Sequence, residues 1–248
     1  ADYAGSVTSR IGDKTVIDNA SSVSVDATIQ SGSGLTIAKP TGGNLYVSAG
    51  NSTVIGASVG AVGLAAAISN VNLVENATAE IGDNVTITTN TDNASITVDA
   101  MRDIDAEVNV VGVAGGVVAA GVSYTGVQVS GDSIAQIGAN SSIGTNTNRV
   151  GAVTIRARNR STQEARAVSA GAAFGGALVG AFVDLDDTGS TTAAVGSNST
   201  IYSNERITMT AADTGKNEAD AVGVAIAGGV GLSIISSDVD LDRDSTIA

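Results

Sequence analysis

Cysteine, histidine and tryptophan are absent from this 248-residue chain, proline occurs once, and aromatic side chains make up 2% of residues. Each absence removes a class of chemistry. Without histidine or cysteine there is no Ser-His-Asp triad, no thiol nucleophile, and no His/Cys zinc site. Without cysteine there is no disulfide scaffold, although that absence identifies no compartment. With so few rings, the interior must be filled by Val, Ile, Leu and Ala. Bases also lack the aromatic platforms on which they stack, and a net charge of −13 repels phosphate backbones, so nucleic acid is excluded as a partner. The same like charge keeps a long chain soluble and discourages lateral sticking between copies.

What the chain does have is repetition. Ile11-Gly12, Ile81-Gly82, Ile137-Gly138 and Val195-Gly196 each open a turn that reaches Ile17, Ile87, Ile143 and Ile201 six residues later. The starting points are separated by 70, 56 and 58 residues. Self-similarity at such a period is the signature of a repeat array. Each copy is trailed by a short stretch with the period-two alternation of a strand: Leu45–Ala49, Ile96–Ala100, Val153–Ala157 and Ile207–Ala211. A block of small apolar residues follows, from Val54 to Val74, Val108 to Val129, Ala167 to Leu185 and Ala221 to Leu241. The long first spacing predicts an insertion or extra coil over residues 21–42, which contains Pro40, the only proline. Ser245–Ala248 matches Thr191–Ala194, so a fifth copy is expected beyond the end, and any targeting signal is expected outside this segment.

These features predict an all-β chain: one continuous parallel β-solenoid over residues 1–248, built from about four imperfect repeats of roughly 56–58 residues, each holding two or three coils. Gly82-Asp83-Asn84, Gly138-Ala139-Asn140 and Gly196-Ser197-Asn198 have the composition of its turns. The same asparagines begin N-glycosylation patterns, which turn chemistry explains more simply. The glycine-rich blocks read as one long rung or as a strand hinged at Gly115-Gly116, Gly175-Gly176 and Gly228-Gly229. Their length also permits a membrane helix, but the glycine density and the lack of flanking Lys/Arg or Trp/Tyr belts argue against membrane embedding.

The recurring Ala77–Ile87 segment, the Ser95–Ala100 strand and the Gly/Ala/Val run after it resemble the passenger repeats of large secreted bacterial adhesins. That broad group includes filamentous haemagglutinin-like proteins, leukotoxin-type filamentous adhesins and autotransporter passengers. The resemblance implies a right-handed parallel β-helix displayed outside the cell as a rod or filament, and it carries no catalytic residues.

Two charged rows are candidate sites. Asp238, Asp240, Asp242 and Asp244 alternate with Val239, Leu241 and Arg243, and Asp184 and Asp186 hold matching places one repeat earlier. If Asp184, Asp186, Asp240 and Asp242 neighbour each other across coils, Ca²⁺ would relieve their repulsion. A solvated strand face is the alternative. Arg156, Arg158 and Arg160 share a strand face that could hold an anionic glycan, or else pair with Asp99, Asp103 and Glu164. The functional expectation is a non-enzymatic shaft that projects a binding tip or associates end to end into filaments through its terminal rungs. A glycan- or cell-binding module and a polysaccharide-active enzyme using a carboxylate pair are the alternatives.

Overall fold

The computed structural model describes residues 2–31, 36–38, 44–46, 51–89 and 93–248. It contains fourteen strands: β1 (Asp2–Ile11), β2 (Val16–Ala20), β3 (Ser22–Ser31), β4 (Thr36–Ala38), β5 (Asn44–Tyr46), β6 (Asn51–Ile81), β7 (Thr86–Thr89), β8 (Ser95–Ser130), β9 (Ser133–Ile137), β10 (Ser142–Ile143), β11 (Val153–Val195), β12 (Thr200–Ile201), β13 (Ile207–Ala227) and β14 (Val230–Ile247). Among the described residues there is no helix. The chain is all-β with long parallel sheets, an architecture compatible with a β-solenoid.

Register shows how the repeats stack. Val54 pairs with Val110, Val110 with Ala167, and Ala167 with Ala221, all in parallel. One repeat is therefore one layer, and the expectation of two or three coils per repeat is corrected. The repeat is long because each layer is a wide, flattened loop. An outward arm runs to the glycine pair, folds back, and returns beside itself, so that Gly112 lies across from Val122 and Ser123. The reversal occurs at the expected hinge. It shows as a register shift between Ala173 and Gly176 and as the gap between β13 and β14 at Gly228-Gly229.

At the base of each loop, β2, β7, β10 and β12 form a short parallel sheet. The turn leading into it is stacked layer on layer. Asp13 Oδ1 accepts the Asp83 N–H at 2.9 Å, and Asp83 Oδ1 accepts the Ala139 N–H at 2.7 Å. Asn84, Asn140 and Asn198 sit at φ of 57°, 55° and 59°, the left-handed region that asparagine tolerates better than most residues. The glycosylation-like pattern thus coincides with a turn requirement.

The Asp83 N–H, followed by Arg10, holds the Asp13 carboxyl below its usual 3.8. An unfolded chain binds this proton before the folded one does. The stability Asp13 contributes is therefore present above about pH 3.8 and lost as pH falls through the depressed folded value. Urea midpoints of the wild type and Asp13→Asn should differ at pH 6 and converge towards pH 3; a constant gap would overturn this.

The first layer departs from expectation. Val23–Ala27 pairs with Ile96–Ala100 and so takes the place expected for Leu45–Ala49, of which residues 47–49 lie outside the described residues. Both stretches alternate, but the former follows directly from β2. Residues 22–31 are therefore an ordinary outward arm, and the insertion placed at 21–42 moves. Nineteen residues lie between Ser31 and Asn51, where two lie between their partners Ile104 and Glu107. The extra chain includes the antiparallel pair β4–β5. Pro40 lies outside the described residues.

Most inward positions are Val, Ile, Leu and Ala, as the scarcity of rings demands. They form a large cluster at the base around Ile81, Ile96, Ile137 and Ile155, a second in mid-loop around Leu73, Ile104 and Leu185, and a small one of alanines at the tip.

Candidate functional site

Between the base and mid-loop clusters the interior is polar. Arg102, the largest fully buried side chain, faces inward because it continues the parity of Ile96, Val98 and Ala100. Its register partner in the next layer is Asn159, and that of Asn159 is Asp213. The three side chains connect along the stack. Arg102 Nη1 donates to Asn159 Oδ1 at 2.8 Å, and Asn159 Nδ2 donates to both Asp213 oxygens at 3.0 Å. Arg243 reaches the column from the return arm, donating to Asp213 at 2.7 and 2.9 Å and to the fully buried Asp187. Arg102 Nη2 also donates to the Ser130 carbonyl at 2.8 Å.

Burial, and then the nearby Arg243, push the Arg102 guanidinium down to about 10; Asp187, Glu75 and Asp213 pull the other way. It remains a cation at neutral pH, held by Glu75, Asp187 and Asp213 against the second cation Arg243. A column of this kind does not activate a nucleophile. It ties layers together by charge-assisted bonds that only one register satisfies. Towards the fourth layer it opens into a cavity of about 310 Å³ lined by Asp187, Asp213, Gly215, Asn217, Leu241 and Arg243.

The return arm bends where the column passes. Gly131 and Gly189 occupy φ of 128° and 142°, and in each a Cβ would strike the backbone of the preceding layer. On the outside of the same bend Asn76 Oδ1 accepts the Asp132 N–H, and Asp132 Oδ1 accepts the Ser190 N–H and Oγ–H.

The rows expected from sequence lie elsewhere. Asp184 pairs in register with Asp238 and Asp186 with Asp240, so carboxylates do stack across layers, but Asp242 lies opposite Thr188. Gln128 donates to Asp186 at 2.9 Å and the Tyr124 hydroxyl to Asp184 at 3.5 Å; burial, then Asp184, raises the Tyr124 pKa. Among the described residues no group of three or more carboxylates is arranged to hold a metal ion. Arg156 and Arg158 both bind Asp99, at 2.6 and 2.9 Å, and Arg160 stands 3.9 Å from Asp103. The acidic neighbours named as alternative partners are thus the ones engaged, apart from Glu164, which pairs with Lys216 at 2.9 Å.

Among the described residues no helix is long and apolar enough to cross a membrane. Compared with family models, with curated proteins and with solved structures, the chain matches none.

Proposed function

We propose that this chain is a non-enzymatic structural segment, a right-handed parallel β-solenoid forming the shaft of a bacterial cell-surface adhesin or extracellular filament. The observation that carries this reading is the layer-for-repeat register. From base to tip, every described layer continues the backbone ladder of the one before, with side-chain ladders inside it. Such a design extends by addition, and each layer depends on its neighbours. The polar column fits the same role, because a shaft must resist slippage of one layer over the next. A glycan-binding module is less well supported, since Arg156 and Arg158 already share the Asp99 carboxylate.

Negative-stain electron microscopy of the purified chain over a concentration series, with and without chelator, tests the proposal. Rods lengthening into uniform filaments through end-to-end contact of terminal layers are the expected result. Their loss on chelation would show that a divalent cation takes part in the contact. Compact, featureless particles at every concentration would overturn the shaft.

A further inference from the structure

The tip half of each layer is apolar on its outside as well as its inside. On the return arms, outward residues align across layers in rows: Val62 and Val118 with Val230, then Leu64 and Leu178 with Leu232. The leucines are 67%, 44% and 53% exposed. Two further rows, ending at Ile68 and its partners, complete the patch, and no charged residue lies on these arms before Asp184 and Asp238. In the third layer Gly176 and Gly180 stand in the rows, and the Phe182 ring lies where a Gly180 side chain would be, with an added Cβ meeting it at 2.8 Å.

We infer that this outer face of the return arms is a lateral interface between two copies of the chain, packed sheet on sheet about a two-fold axis with tips pointing in opposite directions. Three observations select a second copy. First, a chain of net charge −13 can be approached closely by another such chain only over a charge-free surface, and this face is one. Second, the size fits. Eight residues at about 3.3 Å by four layers at about 4.8 Å give roughly 500 Å². Two copies thus bury about 1,000 Å², the lower bound for a specific contact, and every added layer enlarges it. Third, the border disfavours a lipid surface. The row beyond Ile68 carries Asp184 and Asp238, with no Lys, Arg or Trp, whereas membrane faces are bordered by cationic and aromatic anchors. Opposed tips keep the two acidic borders at opposite edges, away from each other. The interface is placed where the surface carries no charge, so it avoids the like-charge repulsion expected to discourage lateral contact between copies.

The chain's lack of cysteine makes the test clean. Ala120→Cys, in the middle of the patch, should form a disulfide-linked dimer under mild oxidation; Thr162→Cys, outward on the opposite arm, should not. In sedimentation velocity the wild type should dimerise at micromolar concentration, more tightly as NaCl rises from about 0.05 to about 0.5 M because salt screens the mutual repulsion. Leu178→Asp should weaken the dimer at least tenfold, and Leu178→Ser by less. A monomer throughout the range, or a dimer indifferent to both substitutions, would overturn the interface. So would capture by phosphatidylcholine vesicles with no dimer in their absence. Filaments that persist in Leu178→Asp would leave the shaft reading standing while lateral pairing fails. A disulfide-linked dimer of Ala120→Cys without filaments would be the reverse.

Discussion

Arg102→Met is expected to destabilise the fold by about 3–5 kcal/mol, the cost of removing one partner from a buried charge network. The guanidinium donates to Asn159 and to the Ser130 carbonyl and balances Glu75, Asp187 and Asp213 from full burial. Its loss removes the buried cation beside Glu75, while Asp187 and Asp213 keep their bonds to Arg243. The companion variant Arg102→Met/Glu75→Met removes one charge of each sign and substitutes apolar volume. Replacing a buried pair in this way is often neutral or stabilising. The double variant should therefore recover most of the loss, despite carrying two substitutions. Urea denaturation followed by far-ultraviolet circular dichroism reads both. A single variant within about 1 kcal/mol of wild type would show that the column does not hold the layers, and a double variant worse than the single would show that Glu75 is not its charge partner.

The column was legible in the sequence by parity. Arg102 continues Ile96, Val98 and Ala100; Asp187 continues Val183 and Leu185; Arg243 continues Val239 and Leu241. Charge is ordinarily read as outward, and that habit, not the pattern, hides all three. Parity does place Arg156, Arg158 and Arg160 outside, where they are, and the register of Asp186 with Asp240 follows from matching the repeats. The repeat length fixes the layer offset as well, but its translation into several short coils fails because an arm can run about twenty residues before folding back at paired glycines. Alternation alone could not choose between Val23–Ala27 and Leu45–Ala49 for the first layer, since both satisfy period two. The apolar outer face was hidden for a different reason. The third blocks are apolar at both parities, which reads equally as a buried rung or a membrane segment, and only the fold shows which parity faces out.

Gly131→Ala is the second substitution with a large expected effect, about 3 kcal/mol or more. Residue 131 sits at φ of 128°, outside the regions an L-residue adopts without strain, which costs of order 1–3 kcal/mol. The added methyl would also overlap the Glu75 carbonyl. Glu75 is held in register with Gly5 of β1, so its backbone cannot retreat without disturbing that pairing, and a cost of about another 1–3 kcal/mol is expected from overpacking. The bend at Gly131 carries the adjoining Ser130 carbonyl to Arg102, so the damage extends to the column. Gly215→Ala, at an exposed position on the lining of the polar cavity, is the control. Its nearest neighbour would be the Ser161 carbonyl at 3.7 Å, an ordinary contact, and its backbone is not in the left-handed half of conformational space. There the loss of chain entropy in the unfolded state should make alanine neutral or stabilising by about 0.4–1 kcal/mol. Equal tolerance at both positions would show that the bend is not enforced. Gly189→Ala, one layer further on, has the same strain and strikes the Gly131 carbonyl. Because Gly131 and Gly189 touch, the double variant should cost less than the sum of the two singles: once the first methyl has opened the stack, the second finds room.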